Sequence, residues 1–344
     1  MSGIGITLDR SSINEASVAT FARAGATYVR FIAKGMTSSL YLNLAQSFIE
    51  CGQAVRSNFQ VIMDLPGKRP RMGSGFDEIT VYRGMTVLLV DEAARTDSYR
   101  SNLVVPTMNL LGNRDSVRSG DRLLISDGAT ELKVLELLPT GILAEATRAE
   151  ALLSPNRSIL LPDTALHYQS LSEPEFGVIE AISSSALAKP TVALSMVESA
   201  DPIRQIRSLL PNATIIAKIE TRQGLIEREQ IIAAADSIMI ARGDLSLSLG
   251  VNFLPAAADL ILAECKRQER PVVLATGVFD GVNFMERPSI PDLTDLWYYW
   301  QQGVRDFLIS GSNPGKFGRQ SLEQLNAALG DFRFATEDLG AVSG

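Results

Sequence analysis

Apolar runs of about five residues recur along this chain, separated by longer stretches in which apolar positions return every three or four residues. The short runs have the character of buried strands, and the longer stretches that of amphipathic helices. From the N-terminus, the pattern predicts strands at residues 4–8, 27–31 and 60–64, with helices over 13–24 and 37–56 between them. Ser11 or Ser12 is placed to cap the first helix and Gly25 to stop it. Beyond residue 64 the chain meets Pro66, Gly67, Pro70, Gly73 and Gly75, which punctuate an exit from regular structure. From about 74 to 161 the texture changes to short alternating runs, at 79–82, 86–90, 122–125, 131–138 and 142–146. Gly, Asp and Asn separate these runs, and together they predict a small antiparallel β-domain. Helical periodicity resumes over 173–186. Strands then follow at 191–195, 214–218, 237–241, 271–275 and 305–309, alternating with helices at 201–210, 225–235, 254–269 and 292–302, and a last helix at 319–329 closes the series.

Eight strands outside the insertion, each followed by a helix, define an α/β protein of the (β/α)8 TIM-barrel type with a small β-domain inserted after the third strand. The expected division is a barrel from residues 1–73 and 162–330, an inserted β-rich domain at 74–161, and a C-terminal tail at 331–344. An open doubly wound sheet is the alternative, but no dinucleotide glycine fingerprint follows a strand to favour it.

Composition narrows the function classes. With 46% hydrophobic and 21% charged residues over 344 positions, the chain is ordinary for a globular protein with a sizeable core. A net charge of −7 argues against a nucleic-acid or anionic-membrane surface. No apolar run approaches the ~20 residues needed to cross a bilayer, and no basic segment with an apolar core opens the chain. Cys51 and Cys265 are too few and too distant for a disulfide framework, so a reducing, cytoplasmic setting is expected. The single histidine, His167, reads as a solvated loop residue and leaves no Ser-His-Asp triad or histidine-rich metal site to consider.

Candidate chemistry concentrates at residues 214–246. Lys218 and Glu220 arrive where one predicted strand ends, and Arg242 and Asp244 where the next one ends. Carboxyl ends of parallel strands are where such folds handle ligands. Two carboxylates there can share a hard divalent cation such as Mg²⁺, which keeps several waters and meets substrate oxygens. A neighbouring lysine supplies a point charge or a proton. The competing reading is a set of strand-end salt bridges, common and often worth little.

These residues carry a resemblance. Lys218-Ile219-Glu220-Thr221, with Gly224 following, resembles the Lys-Ile-Glu-Asn…Glu-Gly motif of pyruvate kinases, and Met239-Ile240-Ala241-Arg242-Gly243-Asp244-Leu245-Ser246 is similar to their Met-Val-Ala-Arg-Gly-Asp-Leu-Gly. Val29-Arg30-Phe31 resembles the family's strand end bearing a phosphoryl-facing arginine. Residues 64–73 are similar to Asp-Thr-Lys-Gly-Pro-x-Ile-Arg-Thr-Gly, which puts Arg71 at a second such arginine. Ala275-Thr276 matches the Ala-Thr of the seventh strand, Ser195 a serine near the end of the fourth, and Asp127-Gly128 a turn in the nucleotide-closing lid.

The resemblance implies a barrel with an inserted lid and phosphoryl transfer between phosphoenolpyruvate and ADP, yielding pyruvate and ATP. Glu220 and Asp244 would hold Mg²⁺ or Mn²⁺. Lys218 would stabilise the enolate and phosphoryl charge. Arg30 and Arg71, with Asp127, would attend phosphoryl and nucleotide, while Thr276 and the amides of Gly243 and Asp244 would hold the substrate carboxylate and Ser195 would also bind substrate.

The sequence also departs from the family. The monovalent-cation positions fall on Ile32, Lys34, Asp64 and Leu65, of which only Asp64 is retained, so the expectation is that the Lys34 ammonium replaces K⁺. Gly277 stands for a glutamine, Asp280 for a glutamate, and Ser310-Gly311-Ser312-Asn313 for Ser-Gly-Glu-Thr. The chain stops after the last barrel helix, where the family continues into a regulatory domain; a homo-oligomer without that domain is expected. Beside the phosphotransferase stand two alternatives: a Mg²⁺-dependent lyase or aldolase working through a pyruvate enolate without nucleotide, and a non-catalytic regulatory homologue.

Overall fold

The structure is a computed structural model that describes residues 3–8, 12–32, 36–65, 67, 69–91, 103–108, 110, 115–139, 141–164, 171–309 and 314–337. His167, Lys34, Ser11, Pro66 and 310–313 lie outside them. Eight parallel strands close into a barrel: β1 (Gly3–Thr7), β2 (Tyr28–Ile32), β3 (Gln60–Asp64), β13 (Thr191–Leu194), β14 (Thr214–Ile219), β15 (Ser237–Ala241), β16 (Val272–Ala275) and β17 (Asp306–Ile309). Around it run α1 (Glu15–Arg23), α2 (Ser38–Gln53), α3 (Glu173–Ser183), α4 (Asp201–Leu209), α5 (Arg222–Ile226), α6 (Arg228–Ala234), α7 (Arg242–Leu249), α8 (Leu254–Arg267), α9 (Val282–Met285), α10 (Ile290–Gln301) and α11 (Pro314–Glu337).

Strand alternation sorts the side chains into two cores. One set faces the helices, where Val29, Phe31, Val61, Met63, Ile215 and Ala217 join a large apolar cluster. The other faces the barrel axis, where Tyr28, Ile62, Ala193, Ile216, Met239 and Val273 pack together. With a period of two, Arg30, Asp64 and Lys218 must also point inward, one step nearer the carboxyl ends. Ala193, Ala241 and Ala275 are small members of the inner core, which leaves room for these long side chains. Tyr41 of α2, fully buried, donates its hydroxyl to the carbonyls of Phe31 (2.8 Å) and Asp64 (3.2 Å), tying the ends of β2 and β3 together.

Between β3 and α3 lies the insertion, with β4 (Arg71–Met72), β5 (Ile79–Tyr82), β6 (Thr86–Asp91), β7 (Leu103–Met108), β8 (Arg122–Ile125), β9 (Thr130–Leu138), β10 (Gly141–Ala146), β11 (Glu150–Leu153) and β12 (Ile159–Leu160). It has its own apolar core, built from Val87, Leu89, Leu123, Ile142 and their neighbours. Outgoing and returning chains run side by side: the Met72 N–H donates to Arg157 O and the Ile159 N–H to Pro70 O, both at 2.8 Å. Leu124 and Leu160 then pack on Met196 and Leu247 of the barrel mouth.

Several expectations need correction. The inserted domain is not wholly antiparallel, because β6 and β7 pair parallel. The β7 segment was not expected, since Pro106 within it lacks a ladder donor and weakens the strand signal. The cap of α1 is Asn14, whose side chain accepts from the Ser17 N–H at 2.9 Å, rather than a serine. Gly25 does stop that helix, at φ +106°. The stretch at 225–235 is two helices divided at Glu227. The helix α7, absent from the periodicity, follows β15 without a loop, and α11 runs beyond both ends of the expected 319–329. Among the described residues, no single helix is long and apolar enough to cross a membrane.

Candidate active site

Side chains from β2, β3, β14, the loops after β3 and β13 and the first turn of α7 converge at the carboxyl end of the barrel. Asp64, buried, is the centre. Its Oδ2 accepts from Arg30 Nε at 2.7 Å and lies 3.3 Å from Lys218 Nζ, while Oδ1 accepts from Ser195 Oγ at 3.3 Å. Burial alone would raise the Asp64 carboxyl, but Arg30 and Lys218 hold it below its usual range. Lys218 Nζ donates to Ser195 Oγ at 2.9 Å and lies 3.2 Å from Glu220 Oε1. The lysine is nearly inaccessible, and its three neighbours aim it at the barrel axis.

Glu220 is the most unusual of these groups. Its Oε2 accepts from the Met196 N–H at 2.7 Å, yet Oε1 is buried without a hydrogen-bond donor. The Lys218 ammonium supplies counter-charge at 3.2 Å but is not aligned to donate. Burial pushes the Glu220 carboxyl up against the pull of Lys218, and the neighbouring Asp244 carboxylate adds to that push. Two adjoining carboxylates with an orphaned oxygen fit a hard divalent cation. Among the described residues, no group of three or more His, Cys, Asp or Glu is placed to hold a metal ion by itself. A cation here would complete its shell with water or substrate oxygens, as Mg²⁺ does.

Asp244 sits in the first turn of α7, and the structure gives it a partner that the sequence reading did not single out. Arg69 NH2 is 2.8 Å from Asp244 Oδ2 and 3.2 Å from Met196 Sδ. Burial would raise the Asp244 carboxyl, but Arg69 holds it low. The signal for Arg69 was the run Lys68-Arg69-Pro70-Arg71. Loop residues have no period to say which one points inward, and the resemblance aligns only Arg71 of this run with a functional position. Arg71, on β4, is half-buried, and burial together with Arg69 lowers its pKa. It has no ion pair with another described residue.

Thr276 closes the far side. Its backbone is left-handed at φ +68°, a strained state for a β-branched residue. Arg242 Nε donates to the Thr276 carbonyl at 2.8 Å, and its NH1 bonds both oxygens of Asp295 at 2.7 and 2.8 Å. At Gly243, a Cβ would come within 3.0 Å of Thr276 Cγ2, so the missing side chain permits this approach. Asp127 is exposed on the left-handed turn Ser126–Asp127 of the insertion, above α7, where a Cβ on Gly128 would lie 2.8 Å from Leu247 Cδ2. A cleft of about 300 Å³ is lined by Leu160, Asp163, Met196, Thr221, Arg222 and Ser248, and Asp64, Glu220 and Asp244 are not part of its lining. Lys34 lies outside the described residues.

Fold and site together define a (β/α)8 barrel with a lysine and paired carboxylates at its carboxyl end. The family model for the pyruvate kinase barrel domain matches residues 2–321, and the chain belongs to that family. It is 24% identical to the pyruvate kinase of Lactococcus lactis subsp. lactis, over 77% of this chain and 54% of that protein. It is 28% identical to that of Agrobacterium vitis, over 78% of this chain and 56% of that protein. With the pyruvate kinase of Thermococcus litoralis it shares 24% identity over 93% of this chain and 67% of that protein. The chain spans about half the length of most of the curated relatives it matches.

Proposed function

We propose that this chain carries out pyruvate-kinase-like phosphoryl transfer between phosphoenolpyruvate and a nucleoside diphosphate, with Mg²⁺ or Mn²⁺ held by Glu220 and Asp244. The observation that carries the reading is the Lys218 ammonium, fixed by Asp64, Ser195 and Glu220 at the barrel axis beside a carboxylate oxygen that lacks a donor. When bound, the divalent ion stabilises negative charge developing on substrate oxygens.

In the forward direction the P–O bond of phosphoenolpyruvate breaks, a terminal oxygen of the diphosphate bonds to phosphorus, and the electron pair stays on the enolate oxygen. The enolate then takes a proton at its methylene carbon to become pyruvate. Lys218 places a positive charge where the enolate and phosphoryl charge appear, already oriented before the reaction begins. Arg30 and Arg71 offer planar donors to the phosphoryl oxygens. Thr276 and the Gly243 and Asp244 amides at the start of α7 receive the substrate carboxylate, and Ser195 meets the substrate side through its hold on Lys218.

We assign residues 74–161 as the lid over the nucleotide, with Asp127 at its tip, and residues 1–73 and 162–330 as the barrel. Asp64 already receives Arg30, Lys218 and Ser195, which supports a site that works without K⁺, with Lys34 in its place.

The test is ATP formation from ADP and phosphoenolpyruvate with Mg²⁺, with and without K⁺, against Lys218→Met. ATP made by the native chain and lost in the variant supports the reading, and a steep rise with K⁺ removes Lys34 as a substitute. Release of pyruvate from a larger 2-oxo acid without nucleotide would replace the kinase reading by a lyase.

A further inference from the structure

We propose that Arg69 is an internal counter-cation that a divalent metal must displace from Asp244, so that residue 69 sets the metal affinity of the site. The inference rests on the reading of Glu220 and Asp244 as the metal pair. Three cations (Arg30, Arg69 and Lys218) already face three anions (Asp64, Glu220 and Asp244) in direct ion pairs. A dication entering this balanced set finds Asp244 Oδ2 taken by a guanidinium at 2.8 Å.

The arrangement is built rather than incidental. Arg69 is largely enclosed, with a side chain 15% exposed. One residue, Met196, braces both halves: its Sδ lies 3.2 Å from Arg69 NH2, and its N–H holds Glu220 Oε2 at 2.7 Å. Met196 adopts φ +54° to do so. The loop carrying Arg69 is itself pinned. Gly67 turns at φ +72°, where a Cβ would meet Ser195 Cβ at 3.4 Å, and Pro70 O accepts from the Ile159 N–H at 2.8 Å. Glu220, by contrast, presents an oxygen with no donor. The pair is therefore asymmetric: Arg69 occupies Asp244 Oδ2 directly, whereas Glu220 Oε1 faces Lys218 at 3.2 Å without receiving a hydrogen bond from it.

The experiment is a Mn²⁺ titration of the full chain, followed by loss of the free-ion electron paramagnetic resonance signal, with no substrate present. Arg69→Gln should bind Mn²⁺ at least tenfold more tightly than the native chain. Arg71→Gln removes a nearby charge that does not touch Asp244, and should change affinity less than about twofold. Asp244→Asn should lose binding. Unchanged or weaker affinity in Arg69→Gln, or equal tightening in Arg71→Gln, overturns the displacement. If Asp244→Asn also loses binding, the metal reading survives that failure; if Asp244→Asn binds like the native chain, both fall. A second measurement does not depend on any variant folding. In crystals of the native chain grown with Mn²⁺, the guanidinium should have left Asp244, and an intact Arg69–Asp244 pair beside a bound ion overturns the proposal.

Discussion

The two ends of the barrel bury polar groups in opposite ways. At the carboxyl end, Asp64, Lys218 and Glu220 are nearly inaccessible, yet each has an oppositely charged neighbour within 3.3 Å. At the amino end, the Tyr28 hydroxyl is buried without a hydrogen-bond partner, and Asp306 is pushed to about 6 by burial. Gly3 and Gly5 crowd this floor; a Cβ on Gly5 would fall within 2.0 Å of the Tyr28 ring, and one on Gly3 within 2.1 Å of Asp306 Oδ1. The mouth invests in placing charge, whereas the floor accepts desolvation in exchange for packing. That division follows the rule that such barrels keep chemistry at the carboxyl end and stability at the other.

The largest effect that would break this contrast is on activity. Lys218→Met keeps the length of the side chain but leaves Asp64 and Glu220 facing each other without the ammonium. We expect phosphoryl transfer to fall by at least ~10³, as when a preorganised charge is removed from a developing anion. Circular dichroism should show the fold retained. If activity persists, the mouth's charges are structural and the two ends are alike.

Next in size is Asp64→Ala, which strands Arg30 and Lys218 without their shared carboxylate. Removing one partner of a buried ion pair costs about 3–5 kcal/mol, and urea unfolding would measure it. The native Asp64 carboxyl is held low by Arg30 and Lys218 against burial. Its contribution is therefore present above the ordinary carboxylate pKa and is lost as pH falls through the lower folded value. A loss below about 1 kcal/mol would place the site in the class of weak surface pairs.

Asp306→Asn probes the floor, with the opposite sign. The folded carboxyl titrates near 6 against an ordinary value of 3.8, so the folded chain binds more protons between those values. Native stability should accordingly fall as pH rises from about 4 to 6, and the asparagine variant should lack that slope. At about 1.4 kcal/mol per unit, the variant gains on the order of 3 kcal/mol at neutral pH, read from urea midpoints at pH 4 and pH 7. Equal midpoint shifts at both would show that Asp306 is relieved of desolvation by other means.

Legibility in the sequence followed periodicity. Strands β2, β3, β14 and β15 were readable because each is a short apolar run, and the same alternation carries Arg30, Asp64 and Lys218 to the axis. Asp244 lies three residues beyond the end of its strand, close enough for the strand to predict its side of the barrel. Arg69 was not readable, because it sits in a loop flanked by prolines where only tertiary packing selects the inward residue. Pro106 hid β7 in the same sense, as a local cue overruled by neighbouring strands. The helix α7 begins at Arg242 with no side-chain cap, so periodicity and capping alone did not mark its start. In each case the missed feature depends on contacts between distant segments.

The smallest predicted effect tests whether the mouth stores strain as well as charge. Thr276 holds φ +68° in an exposed turn, next to Gly277 at φ +72°. Substituting glycine ordinarily costs stability through the unfolded chain's entropy, but at a left-handed position the release of backbone strain, about 1–3 kcal/mol, outweighs that cost. Thr276→Gly should therefore raise stability by about 1 kcal/mol, read from the urea midpoint. Arg242 bonds the backbone carbonyl of Thr276 and not its side chain, so that anchor survives. The hydroxyl does not, and the KM for phosphoenolpyruvate should rise with little change in kcat. A stabilised variant with unchanged KM would mean that the strained turn serves the fold alone. A destabilised one would mean that Arg242 and the Gly243 approach fully relieve the strain.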